Sequence, residues 1–406
     1  MSIRGYDVLV LGLGSMGSAA AGQLAARGLS VLGLERFWPA HDQGSGHGET
    51  RIIRQSYFEG AAYVPLLRRA YEGWHELQET SGRDILTLCG GIYVGDPGSK
   101  IFSGARLAAE AHGLPHEVLD AEQIRARFPA MDPADHALGL YEDNAGFVRP
   151  EQTILANLDV AARHGAHLRY DEPARSWHAT PGGGVEVVTD HGTYGADRLV
   201  VAAGAWAPGL LADLGLALRV ERQVVGWFTP DFDAVPYERW TSDELPVYIE
   251  ETDANRDIYG FPMVDGPAGG MKLAFFNTFD EADPDTVDRT VTEVEIEATR
   301  TRARQLFPHL TGPVVKSLTC LYTTSADRDF VVGAFPGTPQ VTVASVCSGH
   351  GFKFVPVIGE ILADLVQSGT TSHDIALFDP SRPSLRPPPD PCSKPASGRP
   401  TRVPSA

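Results

Sequence analysis

The chain has 406 residues, too many for one ordinary core, so two domains are expected. Apolar residues make up 43% and charged residues 21%, the balance of a soluble globular protein. A formal net charge of −18 repels phosphate backbones and argues against nucleic acid as a partner.

The chain opens MSIRGYDVLVLG, with no charged leader, cleavage site or 18-residue apolar run, so a cytoplasmic protein without a membrane partner is expected. Residues 6–11 (YDVLVL) read as a buried strand. A glycine turn, a small-residue helix ending at Gly28 and a second strand, 29-LSVLGLE-35, complete a βαβ unit. The turn, 12-GLGSMG-17, is a G-x-G-x-x-G. Gly12 permits the tight bend, Gly14 lets backbone approach a pyrophosphate, and Gly17 lets helix and strand pack closely. Ser15 and Met16 open the helix, whose free N–H groups favour phosphate. Glu35 can accept hydrogen bonds from ribose hydroxyls, and Arg36 follows it. The glycine pattern alone is weak; between strand and helix, with an acid at this distance, it specifies a dinucleotide site.

Helical periodicity returns at 62–80, 103–113, 121–128 and 151–165. Strands are expected at 185–190 and 197–204, the latter ending in Ala-Ala-Gly at Gly204, near a second dinucleotide contact. Residues 219–280 read as a largely antiparallel sheet, and 289–307 as a charged helix. A strand at 341–346 leads through 348-SGHGFKF-354 into a helix at 355–369. From 380 on, nine of 27 residues are proline, so the tail is expected to be disordered or draped on the surface. Cys89, Cys320, Cys347 and Cys392 match no zinc or disulfide spacing, and no metal is expected.

The glycine turn does not separate NAD from FAD. The Ala-Ala-Gly strand end and the SGHGFKF turn before a helix favour FAD, because a helix N-terminus can stabilise charge on a reduced flavin. A nicotinamide-dependent dehydrogenase would leave Cys320 and that turn without a purpose.

The segments YDVLVLGLGSMGSAAA, PAHDQGSGHGETRIIR, YVPLLRRAYEGW, YGFP, MKLAFF, CLYT, DRDFVV and SGHGFKFVPVIGEIL occur in order over residues 5–383. With them the chain resembles the monomeric sarcosine oxidase and N-methyl-L-tryptophan oxidase family of flavoprotein amine oxidases. The resemblance implies a glutathione-reductase-like α/β fold. The FAD-binding Rossmann domain would be discontinuous, from 1–80, 150–215 and 315–380. A mixed or antiparallel-sheet substrate domain would come from 81–149 and 216–314, and 381–406 would be tail.

The implied reaction is oxidation of a secondary (N-methyl or cyclic) amino acid. Hydride passes to FAD, the imine is hydrolysed, and O₂ is reduced to hydrogen peroxide in a monomeric enzyme. Cys320 matches the cysteine that forms an 8α thioether to the flavin. Thr50, Arg51 and His47 match positions at the flavin, as do Gly349, Gly351 and Phe352 of the late turn. Arg54 and Lys353 match the ligands of the substrate carboxylate, a task that suits the planar arginine fork. Lys272 matches the lysine that promotes reaction with O₂. Tyr259 and Tyr322 match tyrosines lining the substrate cavity, and His350 matches an active-site histidine. The chain departs from the family at Gly46, often a histidine, and at Phe275, Phe276 and Asn277, where a histidine is usual. A more apolar pocket is therefore expected. A flavin-binding protein without catalysis, or a biosynthetic oxidase of a cyclic imino acid, stays open at this point.

Overall fold

The computed structural model of the chain describes residues 5–385, except 253–255, 277, 279 and 336. Gly5–Leu11 lies in an eight-stranded sheet and pairs in parallel with Val31–Leu34 on one side and Thr193–Val201 on the other. Leu9 and Leu11 pack with Leu32, Leu34, Leu199 and Val201 on one face. Val8 and Val10 pack into a second core with the helix Ser15–Ala26 on the other. A strand covered on both faces is continuously apolar, which is why YDVLVL carries no alternation. Thr193–Val201 also takes Thr338–Ser345 in parallel through Leu199–Val201, so strands more than 300 residues apart share one sheet.

The second sheet has nine strands. Near one edge, Leu218–Phe228 is antiparallel to Met271–Phe275 and to Val314–Ser325. Val247–Glu250 breaks the antiparallel pattern by pairing in parallel with Gly91–Gly95. Alternation sorts its side chains. Phe228, Met271 and Leu273 fill an outer core, whereas Trp227, Val225, Ala274, Cys320 and Tyr322 join the core that reaches the first sheet. A two-sheet α/β architecture is thus observed. A small third sheet, Arg51–Ile53, Gly146–Val148 and Leu86–Leu88, sits apart from both.

Three sequence boundaries need correction. The expected division at 315 assigns Val314–Ser325 to the cofactor-binding part, but the strand is hydrogen-bonded along its length to Leu218–Phe228. Its isolated CLYT motif concealed a twelve-residue strand. The charged helix spans Glu293–Ala303, shorter than 289–307, because Thr292 caps it with Glu295 in a reciprocal capping box. The tail does not begin at 381. Arg382 pairs with Asp327, Leu385 is buried, and the Leu385 carbonyl accepts from Ala217 N–H. Beyond 385 the proline-rich segment lies outside the described residues.

Candidate active site

A long cavity runs between the two sheets. At one end its wall is the glycine turn: Gly12, Gly14, Ser15 and Met16 line it, with Glu35, Arg36 and Gly204 beside them. Gly12 holds φ +84°, and a Cβ there would lie 2.6 Å from the Ala202 carbonyl oxygen. Gly17 does not line the cavity; a Cβ on it would fall 1.7 Å from the Gly12 carbonyl oxygen. Gly17→Ala is therefore expected to break the turn and abolish cofactor retention, measured as flavin bound per chain after purification. The Glu35 carboxylate accepts from Leu13 N–H at 2.7 Å and Phe37 N–H at 3.1 Å. Burial works to raise its pKa, but these bonds and the neighbouring His41 hold it below the usual range, so it stays ionised as an acceptor.

A Cβ on Gly14 would meet nothing within 4 Å, so the backbone is bare where a pyrophosphate must approach. Bare backbone at the helix N-terminus and an ionised acid, both on the wall of one cavity, together fit FAD. Gly46, also on the wall, explains one departure. A Cβ there would come 2.8 Å from Ile154 Cδ1 and 3.0 Å from Ser15 Oγ, so a histidine has no room without rearrangement.

The other end of the cavity collects Arg51, Arg54, Tyr259, Tyr322, His350 and Lys353, with Gly349, Gly351 and Phe352 of the late turn. Arg54 is buried beneath Tyr57 and Phe58, whose ring centroids lie 4.3 and 4.1 Å from its guanidinium carbon. Its Nη2 donates to both Glu59 oxygens at 2.7 and 2.6 Å, and its Nε has no partner. Lys353 Nζ donates to the His350 carbonyl at 2.7 Å. Burial, then the nearby Arg54, lowers the Lys353 pKa to about 7. His350 bridges Tyr57 OH through Nδ1 at 2.6 Å and the Arg328 carbonyl through Nε2 at 3.0 Å. Burial lowers its pKa to about 4, so the ring is neutral at pH 7.

Lys272, Thr50, His47 and Cys320 do not line the cavity; they form a layer next to it. Strand alternation turns Lys272 inward, where its ammonium donates to the Gly48 carbonyl at 2.6 Å, the Thr50 carbonyl at 2.8 Å and Thr50 Oγ1 at 3.1 Å. Burial and the neighbouring Arg51 push it well below the usual lysine range. Arg51 donates to the Thr50 and Ser45 carbonyls, both at 2.7 Å. Cys320 is buried, which raises its pKa, while Arg51 and Lys272 act to lower it. Burial and Arg51 lower His47 to about 3.

Several groups at the site have no motif that betrays them. Glu59 neutralises Arg54, and Tyr57 orients His350. Glu151 ties the Gly48 and Glu49 N–H groups that shape the loop under Lys272. The expected apolar wall is present as Ile249 and Phe276, the latter edge-on to Phe58 and Tyr259. Phe275 points instead to the outer core, and Asn277 lies outside the described residues.

Residues 7–365 match the family model described as FAD dependent oxidoreductase. The chain is 48% identical over 383 residues to a monomeric sarcosine oxidase of Streptomyces avermitilis, covering 94% of this chain and 99% of the relative. The chain belongs to the monomeric sarcosine oxidase family. It is 32% identical to an N-methyl-L-tryptophan oxidase of Salmonella heidelberg, covering 93% of this chain and 99% of that one. Among solved structures, NikD, an amino acid oxidase essential for nikkomycin biosynthesis, superposes with a TM-score of 0.80 at 26% identity, over 93% of this chain and 97% of that one. Glycine oxidase from Geobacillus kaustophilus shares the fold, with a TM-score of 0.77 at 23% identity, over 93% and 99% of the two chains. As a sarcosine oxidase family member the chain is an FAD-dependent amine oxidase, and the nicotinamide dehydrogenase reading falls. No helix among the described residues is long and apolar enough to cross a membrane.

Proposed function

We propose that this protein oxidises secondary amino acids, N-methyl or cyclic, at the carbon–nitrogen bond, as a monomer with FAD linked through Cys320. The observation that carries the reading is the convergence of Arg54 and Lys353 on one cavity end otherwise walled by Ile249, Tyr259, Phe276 and Tyr322. Two cations select a carboxylate, and the apolar wall takes the rest of the substrate. The unpartnered Arg54 Nε gives the carboxylate a buried donor without displacing Glu59.

FAD bound in the cavity supplies the hydride acceptor, and O₂ takes the electrons on as hydrogen peroxide. The protein's share is binding, orientation and charge. The two cations fix the carboxylate and, with desolvation, favour the neutral amine over its ammonium form. Neutral His350 positions Lys353 through its carbonyl and Tyr57 through its ring. Thr50 and Gly48 hold Lys272 one layer behind the cavity as a source of positive charge for O₂ reduction. Cys320 lies in a strand of the second sheet; burial raises its pKa, and the adjacent Arg51 and Lys272 partly offset that. The cofactor-binding half is then discontinuous, and the second sheet roofs it.

Anaerobic mixing with a panel of amines tests the reading. N-methyl or cyclic amino acids should bleach the flavin, and their methyl esters should not. Esters bleaching at equal rates would remove the carboxylate site from the account. Acid precipitation tests the linkage: yellow colour should stay with the wild-type pellet and leave with the supernatant of Cys320→Ser.

A further inference from the structure

The glycine-turn end of the cavity continues past Glu35 to Arg36, Arg175, Trp206 and Leu210, away from Arg54 and Lys353. By the geometry of dinucleotide sites this end takes the adenosine of FAD. All four of these residues come from the first sheet's half. A fifth group there does not. Asp285 belongs to the turn that leaves the short strand Asp280–Glu281 of the second sheet. Its Oδ1 accepts from Arg36 Nη1 at 2.8 Å and from Trp206 Nε1 at 2.8 Å. The Arg36 guanidinium carbon lies 5.3 Å from the Trp206 ring centroid, and the charge of Asp285 also reaches Arg175. Asp283 fixes the turn by accepting from Asp285 N–H at 2.9 Å. Four residues on, Arg289 donates to the Gln43 carbonyl at 2.7 Å, a second tether onto the cavity's own loop.

The Arg36 and Asp285 side chains are 36% and 51% exposed. An exposed ion pair adds little to stability. This one joins a turn of the second sheet to Arg36 and Trp206, two residues of the cavity wall. We propose that residues 283–289 form a strap across the adenosine end of the FAD site, with Asp285 as its latch. FAD enters and leaves when the latch opens, and Asp285 positions Arg36 and Trp206 over the bound cofactor. The proposal rests on the FAD reading of the cavity.

The test is FAD exchange, read by flavin fluorescence. Uptake is followed in apoprotein from riboflavin-limited cells, and release in a Cys320→Ser background where the cofactor is free to leave. Asp285→Ala should speed both uptake and release by about five- to tenfold. Asp285→Glu should restore the wild-type rates, and Glu281→Ala, on the same segment but facing solvent, should leave them alone. If Asp285→Ala does not fold, Asp285→Asn carries the test, because it keeps the Trp206 acceptor and loses the ion pair. Raising the salt concentration should speed release from the latched protein and not from the unlatched variant. Exchange rates within twofold of wild type in Asp285→Ala or Asp285→Asn, or an equal change in Glu281→Ala, would overturn the latch. Wild-type apoprotein that never quenches FAD would instead overturn the cavity's assignment.

Discussion

Lys272→Met should lower aerobic turnover by about 100- to 1000-fold while the anaerobic bleaching rate stays close to wild type. The two half-reactions need different things from the protein. On the proposed reading substrate oxidation depends on the Arg54 end of the cavity, which Lys272 does not line. One-electron transfer to O₂ creates negative charge in a water-poor site, where a fixed cation is worth several kcal/mol. Lys272 is the buried lysine of that layer, and its three hydrogen bonds hold it in place. Its depressed pKa adds a signature. The ammonium is lost as pH rises through that lowered value, so the oxidative half-reaction should slow toward alkaline pH in the wild type and show no such slope in Lys272→Met. Stopped-flow reoxidation at several pH values separates the two outcomes. A variant that reoxidises normally would place the O₂-activating charge elsewhere, with Arg51 the nearest alternative.

The second large effect concerns carboxylate recognition. Arg54→Met alone is a poor experiment, because it strands the Glu59 carboxylate in a site that leaves only 11% of it exposed. An uncompensated buried charge costs about 3–5 kcal/mol, enough to confuse a folding defect with a binding one. The double variant Arg54→Met/Glu59→Gln removes the pair together. It should fold, and kcat/KM for an amino-acid substrate should fall by a factor on the order of 100, the equivalent of roughly 3 kcal/mol of charge-assisted hydrogen bonding. Activity toward the matching amine without a carboxylate should change little.

Lys353 should supply a pH dependence at the same proposed site. With a pKa lowered to about 7, it is charged below that value and neutral above it. Binding of a non-oxidisable carboxylate, followed by the flavin spectrum, should weaken by up to about tenfold per pH unit above 7. Lys353→Met should bind it weakly at every pH. A pH-independent wild-type affinity would contradict this assignment.

The cofactor end of the molecule was legible in the sequence because its chemistry is local. Gly12, Gly14, Gly17 and Glu35 lie within 24 residues, and each has a steric or electrostatic duty in the turn. The proposed substrate end could be assigned only through resemblance, since Arg54, Tyr259 and Lys353, which line it, come from three distant segments. Their neighbours were invisible. Glu59 lies in a short loop with no periodicity, and Glu151 looks like an ordinary first-turn acid of Pro150–Arg163. Asp285 was equally hidden among the acids of 279-FDEADPD-285. The strand Val314–Ser325 escaped because its first half, VVKSL, alternates only partly and its second half is buried throughout. A buried run of that kind does not declare its period.

The parallel pairing of Leu199–Val201 with Val341–Val343 carries a consequence for how the chain is made. Gly5–Leu11 leaves the ribosome well before its sheet can form, because that sheet is completed by residues synthesised some 330 positions later. At about 5–20 residues per second, the first strand and its glycine turn wait on the order of 20 to 70 s for that partner. Contacts this distant in sequence also slow folding after release. A nascent chain of this kind holds unpaired apolar strand edges throughout, so premature termination before residue 341 should yield aggregate rather than a smaller folded domain.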